Sequence, residues 1–114
     1  MQRAMLRVMF KSLLIWCILI APSAIAATSE ERQQKVMDMV ISEAIKVDFP
    51  PALALAIAQV GSDFEPEAVN HSGARGVMQL MPKMAYELYD VPAYRLFDAR
   101  TNIITGLNYF NQLL

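Results

Sequence analysis

Between Pro50-Pro51 and Gly61 the chain carries Ala52 to Val60, a run in which only Gln59 is polar. A helix apolar on every side belongs at the centre of a bundle, because no face of it suits water. The prolines suit the first turn of such a helix and would break its interior. The rest of the chain is therefore expected to wrap around this segment. The next stretch is different in kind: Gly61-Ser62-Asp63-Phe64, a polar loop with the single histidine, a glycine-spaced turn Gly73-Ala74-Arg75-Gly76, and Met78-Gln79-Leu80-Met81-Pro82. Polar residues gathered where a buried helix stops are a common way to build a cleft, so this region is the first place to look for a site.

The opening residues do not read as part of the fold. Arg3, Arg7 and Lys11 form a positive leader, Ser12 to Ala21 is almost wholly apolar, and Ala24 and Ala26 supply an A-x-A arrangement. That is the pattern of a secretory signal peptide cut after Ala26. A retained membrane anchor is the competing reading, but the apolar run falls short of the roughly 20 residues a span requires. Trp16 before Cys17 argues against a lipid anchor on that cysteine. Residues 1–26 are thus expected to be a signal peptide and 27–114 one domain, exported to the periplasm or secreted. Any membrane attachment would run through an uncleaved signal.

Cleavage would remove 26 of the 114 residues and leave 88. It takes away three of the ten basic residues and none of the eleven acidic ones, so the remainder carries a net charge of −4. It also removes the only cysteine, and with it disulfide and thiol chemistry. Seven basic residues against eleven acidic ones leave no basic surplus to neutralise a polyphosphate, which argues against nucleic acid as a partner. Eighty-eight residues can bury one core with little surplus.

Helical signals dominate the remainder. Thr28 with Glu31 three residues on is a capping-box start. Val36, Val40, Ala44 and Val47, with Met37, Ile41 and Ile45 beside them, form a wide stripe at helical spacing. Asp48-Phe49-Pro50-Pro51 ends that helix and opens the apolar one. Residues 61–75 read as loop with at most a short extended piece. Pro82 opens a third helix over 83–89 that ends at Asp90 and Pro92, and Asp98 caps a last one striped by Ile103, Leu107, Phe110 and Leu114. Gly106 is placed to let a neighbour approach. The expected fold is mostly α with at most a small β element.

The reactive residue types are few. His71 has no cysteine or second histidine within ligand spacing, so no metal site and no cofactor are expected. Ser62 lacks the flanking glycine of a nucleophile elbow. Asp63, Glu65 and Glu67 alternate along the loop, which fits either paired-acid glycoside chemistry or a solvated acidic surface. Gly61 comes directly after the apolar helix and reads as a left-handed helix cap.

Taken together, Ala58-Gln59-Val60-Gly61-Ser62-Asp63-Phe64-Glu65-Pro66 and Ser72-Gly73-Ala74-Arg75-Gly76-Val77-Met78-Gln79-Leu80-Met81-Pro82 resemble the catalytic core of the soluble-type lytic transglycosylases. Leu96-Phe97-Asp98, Asn102-Ile103 and Gly106-Leu107-Asn108-Tyr109 resemble a later helix of the same family. The resemblance implies a small helical domain of goose-type-lysozyme-like fold that acts on peptidoglycan glycan strands. In that family one glutamic acid protonates the β-1,4 bond between N-acetylmuramic acid and N-acetylglucosamine. The same carboxylate then accepts a proton from the sugar 6-hydroxyl, closing a 1,6-anhydro ring. The resemblance further implies that Ser62 bonds near the cleavage point, that Met78 and Gln79 line glycan subsites, and that Gly73 and Gly76 keep the turn tight.

Two departures accompany it. Gly61 stands where the family has its catalytic glutamate, and it has no proton to give. The family also continues past the last helix into an Ala-Tyr-Asn-Ala-Gly segment that forms the other wall of the cleft, whereas this sequence stops at Leu114. Three expectations remain: an active enzyme using another acid, an inactive relative binding glycan or a secretion or pilus apparatus, or a remnant whose Ile103, Leu107, Phe110 and Leu113 lack full cover.

Overall fold

A computed structural model of the chain describes residues 27–114, so the signal-peptide reading of residues 1–26 lies outside the described residues. Four helices run in order among them: α1 (Ser29–Lys46), α2 (Pro51–Ser62), α3 (Pro82–Tyr89) and α4 (Ala99–Leu113). A short 3₁₀ helix, Ala93–Phe97, precedes α4. Extended structure among the described residues is confined to two antiparallel bridges, Val69 with Arg75 and Arg75 with Leu80. The architecture is the mostly helical domain that the sequence implies.

Local chemistry explains the boundaries. Thr28 accepts from the Glu31 N–H while the Glu31 carboxylate accepts from the Thr28 N–H, closing the capping box at α1. Proline opens α2 and α3, where its missing N–H costs nothing. Asp98 caps α4 by accepting from the Thr101 N–H. The exits share one device. Asp48, Asp63 and Asp90 each take a left-handed φ, of 57°, 51° and 55°, just beyond α1, α2 and α3. Aspartate tolerates that region better than most residues because its short polar side chain can hydrogen-bond locally.

Gly61 is therefore not the cap of α2. It sits inside the last helical turn, and the helix stops two residues later at Asp63. Phe64 comes next with φ 63°, a conformation that a bulky residue rarely adopts. Burial of its ring offsets that strain.

Helix α1 packs against both α2 and α4, and the 3₁₀ helix bridges α3 and α4. The core contains Val40, Phe49, Ala58, Val77, Met78, Leu96, Ile103 and Leu107, all buried. Burying each large member stabilises the fold by about 1.5–3 kcal/mol relative to exposure. Gly106 lies against Met78: a Cβ at 106 would stand 2.9 Å from Met78 Cβ, so the close approach expected there is real.

Several sequence expectations need correction. Helix α2 is not covered on all sides, since Leu53 is 39 % and Val60 90 % exposed. Apolar composition alone does not say which faces find neighbours. Ile45 and Leu114 fall outside the core on their stripes. Conversely, Ile103 and Leu107 are fully buried, so the expected lack of cover at the last helix is confined to its C-terminal end. One core residue gave no signal in the apolar pattern. Glu43 is buried on α1 and accepts from Lys46 at 3.0 Å and from Arg100 of α4. It ties the two helices together with charge.

Candidate functional site

The last turn of α2 and the 73–82 segment meet at Gly61 and Ser62. The Ser62 hydroxyl has one proton, and its short contact is to the Val77 carbonyl at 2.7 Å, with the Ala58 carbonyl at 3.1 Å. This serine stitches the end of α2 to the glycine-spaced turn. Gly61 is exposed, and a Cβ built on it would meet only Gln79, at 3.2 Å from Cγ and 3.5 Å from Cβ. Position 61 and Gln79 are therefore direct neighbours, although 18 residues separate them in sequence.

The turn itself is held from below. Arg75 and Leu80 exchange both backbone hydrogen bonds, at 2.9 and 3.0 Å, and the Gly76 N–H donates to the Ala68 carbonyl at 2.8 Å. Asn102 of α4 is wholly buried beneath it. Its Oδ1 accepts from the Met78 N–H at 2.7 Å, and its Nδ2 donates to the carbonyls of Arg75 at 2.8 Å and Leu96 at 3.0 Å. Gln79 occupies a left-handed φ of 51° and donates from Nε2 to the carbonyls of Ala68 and Gly76.

The two glycines do different work. Gly73 has φ 90° with open space around it, so it answers only to the backbone conformation. Gly76 has φ 79°, and a Cβ there would overlap Asn102 Nδ2 and the Leu96 carbonyl oxygen. Of the six residues singled out from the sequence, Gly61, Ser62, Gly76 and Gln79 are brought together and Gly73 lies at the far end of the turn. Met78 differs: the whole residue is buried at 2 % exposure, so it packs in the core and does not line the surface of the site as expected.

The acidic residues do not converge on Gly61. Asp63, Glu65 and Glu67 are all exposed. Asp63 accepts from Gln33 at 3.2 Å, and Glu65 accepts from the Glu67 N–H at 3.2 Å. Together with Glu30 they rim an open depression of about 660 Å³ floored by Val36, Phe64, Pro66 and Phe97, which reaches Ser62 but neither Gly61 nor Gln79. The Arg75 guanidinium lies 5.4 Å from the centre of the Phe97 ring, within cation–π distance. His71 is exposed in its loop, and no group of three metal-ligating side chains occurs among the described residues.

Asn102 is the site residue that sequence reasoning missed, since the motif it belongs to gives it no role of its own. Burial is what marks it, since a buried amide needs hydrogen-bond partners, and that burial is not legible in the sequence.

Comparison with known proteins supplies the lineage. Residues 38–114 match the family described as the transglycosylase SLT domain. The membrane-bound lytic murein transglycosylase C of Cronobacter sakazakii is 34 % identical over 92 residues, covering 74 % of this chain and 26 % of that protein. The soluble lytic murein transglycosylase of Escherichia coli K12 is 35 % identical over 69 residues, covering 54 % of this chain and 11 % of its own length. The corresponding transglycosylase C of Edwardsiella ictaluri is 35 % identical over 88 residues, covering 70 % of this chain and 24 % of that protein. The chain thus spans about a quarter or less of the curated relatives it matches. With the family match running over most of the chain and the fold helical as that family requires, the chain belongs to the transglycosylase SLT domain family.

Proposed function

We propose that this chain is an exported peptidoglycan-binding member of its family that holds glycan strands without cleaving them. The observation that carries the reading is the state of position 61. The reading is supported by the turn opposite it, which Gln79 braces through Gly76 and which Ser62 joins through Val77, while Gly61 itself offers no side chain.

The chemistry gives the loss its size. General acid–base participation is worth about 10²–10⁴ in rate. In the family mechanism one carboxylate makes both proton transfers, so its absence removes both. Asp63 caps α2 and bonds Gln33, while Glu65 braces its own loop. Neither lies within contact of a Cβ at position 61. Export to the periplasm is inferred from the signal-peptide reading of residues 1–26, and murein is the substrate named for the relatives. A secretion or pilus apparatus as partner rests on no feature of the described residues.

The test pairs the parent chain with Gly61→Glu on purified sacculi. The parent should sediment with insoluble peptidoglycan more than an unrelated acidic protein does. Equal sedimentation of the two would sink the binding reading. The glutamate variant should gain 1,6-anhydro products if the cleft lacks only its acid. Silence from a folded variant would place the deficit elsewhere in the cleft.

A further inference from the structure

The turn that faces position 61 is unusual in what supports it. Gln79 holds a left-handed φ of 51°, which costs an ordinary residue about 1 kcal/mol or more unless its surroundings impose it. Its side chain ties it to the same turn, since Nε2 donates to the carbonyls of Ala68 and Gly76. A second hold comes from beneath, where one buried amide bonds three main-chain groups on two stretches of chain. Asn102 takes the Met78 N–H, directly before Gln79, and gives its own two protons to Arg75 and Leu96. Both donors and the acceptor of that amide are thereby engaged. Gly76 is bare because a side chain there would occupy the space of the same amide and of the Leu96 carbonyl.

We infer that Asn102 is a positioning residue for the glycan-facing turn: it sets the Gly76–Gln79 backbone so that the Gln79 side-chain stem stands beside position 61. Asn102 touches no ligand and acts only through the main chain of Arg75, Leu96 and Met78. The glycan arm of this inference rests on the proposed function, whereas the geometric arm does not.

Three measurements on the full chain decide it. In Asn102→Ala the Gln79 side-chain amide resonances should move well away from their parent positions. In Ile103→Val, a buried change next door that leaves the amide intact, they should stay. Unchanged Gln79 resonances in a folded Asn102→Ala, or equal movement in both variants, would overturn the inference.

Should Asn102→Ala fail to fold, hydrogen exchange of the parent decides instead. The Met78 N–H should exchange as slowly as the Leu107 N–H in the core of α4. Exchange faster by about a hundredfold or more would mean that the turn opens while α4 stays closed, and the clamp would be refuted. Finally, tetra-N-acetylchitotetraose should bind folded Asn102→Ala about tenfold more weakly than the parent, while Ile103→Val binds within about twofold. Failure of the parent itself to bind that probe would count against the proposed function and leave the positioning role to the Gln79 resonances and Met78 exchange.

Discussion

Gly61 and Gln79 are in contact across the site: a Cβ on the one would stand 3.2 Å from Cγ of the other. The spacing is tight but the neighbour is a flexible stem, so a side chain at 61 is crowded rather than forbidden. Helical glycine also costs about 0.5–1 kcal/mol relative to alanine. Gly61→Ala should therefore raise stability by about 0.5 kcal/mol, read as a higher denaturant midpoint at unchanged slope. A loss of about 1 kcal/mol or more would mean that the Gln79 stem cannot yield, and it would weaken the case for restoring a glutamate there.

The glycines of the turn should separate cleanly. Gly76→Ala meets both a positive φ and the Asn102–Leu96 contact, and should cost about 3 kcal/mol. Gly73→Ala meets the φ alone and should cost about 1–2 kcal/mol. Thermal unfolding of the two variants checks the order. Equal costs would contradict the close packing of Asn102 under Gly76.

The ion pairs on Glu43 should be unequal. Lys46 lies on the same helix, three residues on and 62 % exposed, so Lys46→Ala should cost less than about 0.5 kcal/mol. Arg100 joins α4 to α1, and Arg100→Ala leaves a buried carboxylate short of one partner. Its own half-exposure screens the interaction, so the cost should be about 1–2 kcal/mol. A double-mutant cycle between Glu43 and Arg100 isolates the pairwise part. A coupling energy indistinguishable from zero would show that the two helices are held by packing alone.

Asp98 provides the pH dependence. The Thr101 hydroxyl, which donates to Asp98 Oδ2, is the leading cause that holds this carboxyl below the ordinary aspartate range. The Thr101 N–H acts in the same direction, and Arg95 and Arg100 add a smaller pull against slight desolvation. A carboxyl that is more acidic in the folded state stabilises the fold above its unfolded value of about 3.9, and the contribution is lost as pH falls through the lower folded value. Asp98→Ala should cost about 1 kcal/mol at neutral pH, and that cost should shrink as pH drops below about 4. A cost independent of pH from 7 to 3 would show that the charge is not what caps α4.

Much of this fold is legible in the sequence because its boundaries are made by short-range chemistry. The Thr28–Glu31 box, the prolines opening α2 and α3, Asp48 and Asp90 at helix ends, and the Asp98 cap all announce themselves within four residues. The end of α2 is harder to read. Gly61 looks like a cap, yet Asp63 takes the left-handed position, because sequence alone does not reveal which of two tolerant residues turns the chain. The uncovered side of α2 at Leu53 and Val60 is hidden for another reason: composition reports what a face is made of and not what lies across from it. Within the site, Gly61, Ser62, Gly76 and Gln79 are recognisable from motif spacing. The burial of Met78, the supporting role of Asn102 and the charge at Glu43 all depend on partners 24 to 57 residues away, beyond the reach of any local pattern.

The most direct test of the central claim is mass spectrometry of the soluble products from purified sacculi incubated with the parent chain at high loading. A site without a proton donor at position 61 should bind the sacculi and release no 1,6-anhydro muropeptides above the no-protein control. Release of those products by the parent, with Gly61 unchanged, would contradict the account and show that another group supplies the acid.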